Sequence, residues 1–194
     1  MTKALIASCD VDGIRMDTPM QVPRYFFENW CTAVKAYAAT LGKDDFFIFV
    51  TPFGPYLDAD KGAKCGVSSW RRVDDTSIPP RGKVTGIYVN SALAKTEAHE
   101  NGFDEAIMLS HDGHVSEGSG ENIFVIIDGQ LVTPASCDNI LKGITRDTVI
   151  KLAKNELGMD TVQRAIDRSE LYIADECFMT GTAANVTPVV EVDH

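Results

Sequence analysis

The sequence predicts a mixed α/β fold, α+β in composition, with one mixed sheet that contains hairpins and carries packed helices. Two stretches carry the short-range signature of hairpins. AIMLSHDGHVSE (106–117) and NIFVIIDGQLVT (122–133) each set Asp-Gly between apolar arms, and Asp-Gly supplies the positive φ angles of a type I′ turn. Single helical segments lie around them, marked by apolar residues every three or four positions. Hairpins interleaved with single helices argue against a doubly wound parallel sheet.

Taken in order, residues 4–9 (ALIASC) suit a strand. From Pro23 to Leu41, Phe26, Trp30, Val34, Tyr37 and Leu41 recur at helical spacing, and Gly42 stops the helix. DFFIFV (45–50) reads as a buried strand broken by the loop of Pro52, Gly54 and Pro55, and AKCGVSSWRRV (63–73) as another strand. DDTSIPPRG (74–82) is a loop that delivers the chain to Lys83. A helix then runs from Tyr88 to Asn101, closed by Gly102, ahead of the two hairpins. The remainder reads as a helix in TRDTVIKLAKNELG (145–158), a strand near TVQRAI (161–166), a short helix capped by Ser169, and strands in ECFMT (176–180) and VVEV (189–192). No linker or repeat divides the chain, so residues 1–194 are expected to form a single domain.

With 44% hydrophobic and 24% charged residues, the chain has globular composition, not disordered or collagen-like. A net charge of −10 opposes broad electrostatic binding to nucleic acid or to an anionic membrane, so an anionic ligand must be held by aimed N–H groups and a few cations. No apolar run is long enough to cross a bilayer, and MTKALIASCDVDG is too short in apolar residues for a secretory segment, which together read as a cytoplasmic protein. The five cysteines, Cys9, Cys31, Cys65, Cys137 and Cys177, contain no C-x-x-C pair and read as reduced core or half-buried thiols.

The first chemical candidate is Lys83, set among small residues in RGKVTGIYVNSALAK (81–95). A lysine becomes a nucleophile when desolvation or a neighbouring cation exposes its free amine, and Gly82 and Gly86 leave room for close backbone approach. A surface lysine in a loop is the plain alternative. In GITRDTVIKLAKNELG, Thr145 is placed to cap a helix whose apolar face would be Val149, Leu152 and Ala153. The amides at that terminus suit a phosphate, or belong to an ordinary capped helix. MTGTAAN (179–185) is either a second phosphate clamp, through Thr182, or a tight strand exit. VSEGSGEN (115–122) fixes Glu117 and Glu121 at a glycine-rich bend that is not a dinucleotide fingerprint. His111 and His114 fall on a hairpin tip without a third ligand and read as a solvated turn, as His99 does on the polar side of its helix, so no metal is expected.

In their order, RGKVTGIYVNSALAK, GFDEAIMLSHDGHVSEGSGENIFVIIDGQLVTP, ILKGITRDTVIKLA and ADECFMTGTAANVTPV closely resemble the class IV, or fold-type IV, pyridoxal phosphate aminotransferases. The branched-chain amino acid aminotransferases are the most similar group, in continuous register from Gly54 to Val192. The resemblance implies the large C-terminal domain of that fold, pyridoxal 5'-phosphate as cofactor, and transamination between a branched-chain L-amino acid and 2-oxoglutarate. Residue by residue, Lys83 matches the lysine that forms the internal aldimine, Tyr88 the partner of the cofactor's phenolic oxygen, and Glu117 the carboxylate facing the pyridine nitrogen. Ile144, Thr145 and Thr182 match the phosphate-holding positions. Ala183 matches a backbone donor to the substrate carboxylate, and Tyr56 a tyrosine lining the substrate side. The resemblance further implies small-molecule substrates and a homodimer or higher homo-oligomer. D-amino acid aminotransferases and aminodeoxychorismate lyases share the cofactor and are the neighbouring reactions; a non-catalytic remnant is the rival of another kind.

The sequence departs from the family pattern at Ile87, often asparagine, and at Asn185, often glutamate. Residues 1–45 match poorly, and the family's small N-terminal domain, with the arginine it lends to the phosphate, has no counterpart. The expectation is therefore a large domain alone, with weak or no activity by itself.

Overall fold

The computed structural model describes residues 56–194, together with Asn29, Thr32, Ala33, Ala36, Tyr37, Ala39 and Thr40. The chain divides into two compact units, Met1–Gly54 and Pro55–His194. In the first unit the described residues are helical, as the apolar spacing predicts, and Tyr37 is half-buried. The expected strands at 4–9 and 45–50 lie outside the described residues, as do Cys9 and Cys31.

The second unit is built on β1 (Ala63–Arg71), β2 (Glu105–Leu109), β3 (Val115–Gly118), β4 (Asn122–Ile127), β5 (Gln130–Thr133), β6 (Thr161–Gln163), β7 (Glu176–Gly181) and β8 (Asn185–Val192). They form an eight-stranded sheet in the order β3-β2-β1-β8-β7-β4-β5-β6. β1 runs parallel to β2 and to β8, and β5 parallel to β6, while the other neighbours are antiparallel. Parallel neighbours cannot be joined by a tight turn, so each consecutive parallel pair needs a crossover. The two helices supply it: α1 (Ile87–Glu100) connects β1 to β2, and α2 (Ile144–Leu157) connects β5 to β6.

Apolar residues sort onto these layers. Ala94 and Ala98 of α1 pack with Phe103, Ala106 and Met108. Ala153 of α2 packs with Phe124 and Leu131, and Phe124 stacks on Phe178 with ring centroids 5.0 Å apart. Cys65, Ile107, Leu109, Val115, Ile123, Val125, Val132, Ile166 and Met179 fill the main core. Full burial of a side chain such as Phe124 stabilises by roughly 1.5–3 kcal/mol. Among the described residues no helix is long and apolar enough to cross a membrane.

Several local expectations change. The β4–β5 turn has positive φ at both Asp128 and Gly129, as a type I′ turn requires. In the β2–β3 hairpin only Gly113 is positive, with its amide donating to Ser110 O and Ser110 N to His114 O. One more loop residue turns that connection into a turn followed by a glycine bulge. His114 is not simply solvated: Nδ1 lies 3.0 Å from Asp112 Oδ2 and Nε2 3.3 Å from Asp167 Oδ1. The short helix near 169 is a 3-10 turn, Arg168–Tyr172, and its cap is Asp167, paired reciprocally with Glu170, not Ser169. Cys65 is buried and Cys177 half-buried, but Cys137 is exposed.

Candidate active site

Asn122 ties four segment ends together. Its Nδ2 donates to Glu117 Oε2 (3.0 Å), at the end of β3, and to Leu141 O (2.7 Å), while its Oδ1 accepts from Gly143 N (3.1 Å), just ahead of α2. In register it pairs with Thr180, near the end of β7. Gly143 is required here for steric reasons: a Cβ would stand 2.3 Å from Asn122 Oδ1. Likewise Gly118 lets the chain fold back on Glu121, whose Oε2 would meet a Cβ at 2.7 Å.

Glu117 is the electrostatic centre of this arrangement. It is 3% exposed, and Oε1 pairs with Arg72 Nη2 at 2.6 Å. Its Oε2 also accepts from Leu141 N at 2.9 Å. Burial pushes the carboxyl up to about 7, against the opposing pull of the Arg72 guanidinium and the Leu141 amide. Arg72 reaches the other way to Ser91 Oγ (2.9 Å) on α1. Ser91 lies three residues after Tyr88, on the same helical face. Arg72 therefore connects the start of α1 to the carboxylate.

Lys83 follows the 3-10 turn Pro80–Gly82 and adopts left-handed backbone, φ 48 and ψ 41. For a residue with a Cβ such a conformation costs on the order of 1–3 kcal/mol and persists only where the surroundings impose it. Lys83 is exposed; of the two glycines near it, an added Cβ at Gly82 would meet Val84 Cγ2 at 3.2 Å, whereas one at Gly86 meets nothing within 4 Å. Tyr88 is half-buried at the second position of α1.

At α2, Gly143 is the N-cap, with no side-chain cap, so Thr145 does not cap the helix and Ile144, 80% exposed, opens it. The first amides of a helix have no acceptor within it. Of the expected apolar face Ala153 is buried and Val149 half-buried, but Leu152 is exposed; Arg146 takes the inner position, donating to Pro134 O and Gln163 Oε1. Thr182 and Ala183 form the turn between β7 and β8, Thr182 exposed and Ala183 half-buried. Just before them the buried Thr180 Oγ1 has no partner among the described residues.

Tyr56 belongs to a second cluster, its hydroxyl donating to Glu105 Oε2 at 3.2 Å. The sequence reading missed Arg72, Asn122, Lys95 and Glu105. Only Asn122 had a visible signal, a polar residue opening an otherwise apolar strand directly after a carboxylate-bearing bend.

A family model described as amino-transferase class IV matches residues 29–192. The chain belongs to that family, whose members depend on pyridoxal phosphate. Within it the similarity is to branched-chain enzymes. A probable branched-chain-amino-acid aminotransferase of Aquifex aeolicus is 60% identical over 147 residues, 76% of this chain and 47% of the relative. The branched-chain aminotransferase of Thermoproteus uzoniensis, solved with norvaline, superposes with a TM-score of 0.71 at 52% identity, covering 74% of this chain and 48% of that one. That of Thermobaculum terrenum, in its PLP form, gives 0.67 at 44% identity over 69% and 43%. The chain spans about half the length of the relatives it matches.

Proposed function

We propose that this chain is the cofactor-binding large domain of a branched-chain aminotransferase, transferring an amino group from a branched-chain L-amino acid to 2-oxoglutarate with pyridoxal phosphate held on Lys83. The observation that carries the reading is the buried Glu117 carboxylate fixed between Arg72, Asn122 and the Leu141 amide. The donor set fits the cofactor. A carboxylate offers about four acceptor positions. The Asn122 and Leu141 donors share Oε2 and Arg72 takes one position on Oε1, leaving Oε1 room for a ring N–H. The uncapped α2 terminus and the orphaned Thr180 hydroxyl supply donors nearby in the fold, as an anion needs.

Bound pyridoxal phosphate supplies an electron sink for the electron pair left when the substrate α-proton departs. Glu117 holds a proton at the ring nitrogen, its negative charge favouring the protonated form. The Lys83 amine would anchor the cofactor and, as a free amine, would take the proton from the substrate α-carbon. The amides of Ile144 and Thr145 and the hydroxyls of Thr145 and Thr182 hold the phosphate. Tyr88 donates to the phenolic oxygen, while the Ala183 amide and Tyr56 face the substrate. The same reading takes the assembly to be a cytoplasmic homodimer or higher homo-oligomer.

The test is to titrate the purified chain with pyridoxal phosphate, follow its visible absorption, add leucine, and assay with 2-oxoglutarate. A visible band that shifts with leucine is expected. Absence of any bound-cofactor band overturns the reading, and a shift with D-amino acids alone moves it to the neighbouring reaction.

A further inference from the structure

Behind Tyr56 lies a largely buried polar cluster, Glu105, Lys95 and Glu121, to which the proposed function gives no role. Glu105, with no exposed surface, opens β2; its Oε2 accepts from Lys95 Nζ at 2.6 Å and from the Tyr56 hydroxyl at 3.2 Å, and its Oε1 from Ala106 N at 2.7 Å. Lys95 Nζ also donates to Asp104 O at 2.6 Å and stands 4.6 Å from the centre of the Tyr56 ring. Glu121, 4% exposed, faces both Glu105 and Tyr56 and accepts from Gly120 N at 3.1 Å.

Burying two carboxyls and an ammonium is no route to stability, since apolar side chains of the same volume do as well or better. What the cluster does is hold Tyr56. The ammonium of Lys95 lies against its ring, the carboxylate of Glu105 accepts a hydrogen bond from its hydroxyl, and Lys95 balances Glu105. Burial and the Glu105 charge both push the Glu121 carboxyl upward.

We propose that Glu105, clamped by Lys95, is a positioning residue that fixes the ring and hydroxyl of Tyr56 for substrate binding. This rests on the assignment of Tyr56 to the substrate side made above. Glu105 touches neither cofactor nor substrate and acts only through the tyrosine, so its loss weakens substrate binding and spares the cofactor.

The experiment uses the full chain loaded with pyridoxal phosphate and three variants: Glu105→Gln, Tyr56→Phe and the two combined. The shift of the cofactor band gives the apparent dissociation constant of leucine, and the growth of the band gives that of pyridoxal phosphate. Each single variant is expected to raise the leucine constant by about tenfold, the scale of one hydrogen bond to a charged group. The double variant should be no worse than either single one, and the pyridoxal phosphate constant should hold throughout. A leucine constant that rises for Tyr56→Phe but not for Glu105→Gln overturns the inference, as do effects that multiply in the double variant or an equal loss of cofactor affinity. An unchanged constant for Tyr56→Phe removes Tyr56 from the substrate side, and the inference with it, while the cofactor reading stands. A band that does not respond to leucine overturns the proposed function itself. Should Glu105→Gln not fold, Lys95→Gln, at a side chain 28% exposed, replaces it with the same expected rise, and no rise overturns the proposal.

Discussion

Arg72 Nη2 lies 2.6 Å from Glu117 Oε1, with both side chains almost wholly buried. Such a pair costs desolvation on both sides, and removing one partner strands the other. Here the Arg72 charge works against burial, which alone would drive the Glu117 carboxyl still higher. The pair therefore keeps a carboxylate ionisable in a place where a neutral acid would otherwise be favoured.

Glu117→Gln is expected to retain pyridoxal phosphate but to slow α-proton removal. A neutral amide holds the ring nitrogen's proton less firmly, and a loss of ~2 kcal/mol in barrier stabilisation corresponds to roughly thirtyfold slower chemistry. Single-turnover mixing with leucine measures it, and an unchanged rate removes Glu117 from this role.

The same group predicts a pH dependence in the cofactor-free chain. Its folded value, about 7, lies above the unfolded value of 4.5. Between these values the folded state binds more of the proton, so the Glu117 contribution to stability falls as pH rises through that window. Urea unfolding across it should show a shallower decline for Glu117→Gln than for the parent chain; parallel declines would contradict the assignment.

Lys83 is expected to be the lysine, out of the ten in the chain, that carries the cofactor. Borohydride reduction and peptide mapping locate the pyridoxyl group, and finding it on Lys95 or Lys142 would overturn the site.

Gly143→Ala and Gly86→Ala should behave oppositely. The first drives a methyl to within 2.3 Å of Asn122 Oδ1, at the junction that holds Glu117 and α2 together. A destabilisation of ~1–3 kcal/mol is expected, with weaker cofactor binding. The second meets nothing within 4 Å, in helical backbone at φ −60 and ψ −28, and should be neutral or stabilising by up to ~1 kcal/mol. Thermal melting of both variants decides this, and equal effects would contradict the steric account.

Local chemistry was legible in the sequence. Asp-Gly between apolar arms gave both hairpins, helical spacing and a closing glycine gave α1 and α2, and four ordered blocks gave the family, because each is set by neighbours within a few residues. What is absent from the sequence is the company each side chain keeps. Thr145 resembles a cap, yet Gly143 occupies that position, because Asn122 holds its amide from across the fold. Glu117 and Glu121 are in sequence two acids at a glycine-rich bend; only the pairing of β3 with β2, with Arg72 reaching in from beyond β1, shows Glu117 buried against a guanidinium. Tyr56 and Glu105 are far apart in the chain and meet only when the sheet forms. The sequence by itself determined the family and most of the described elements, while the tertiary structure alone decided burial and pairing, since desolvation and Coulomb attraction depend on distances that no local pattern encodes.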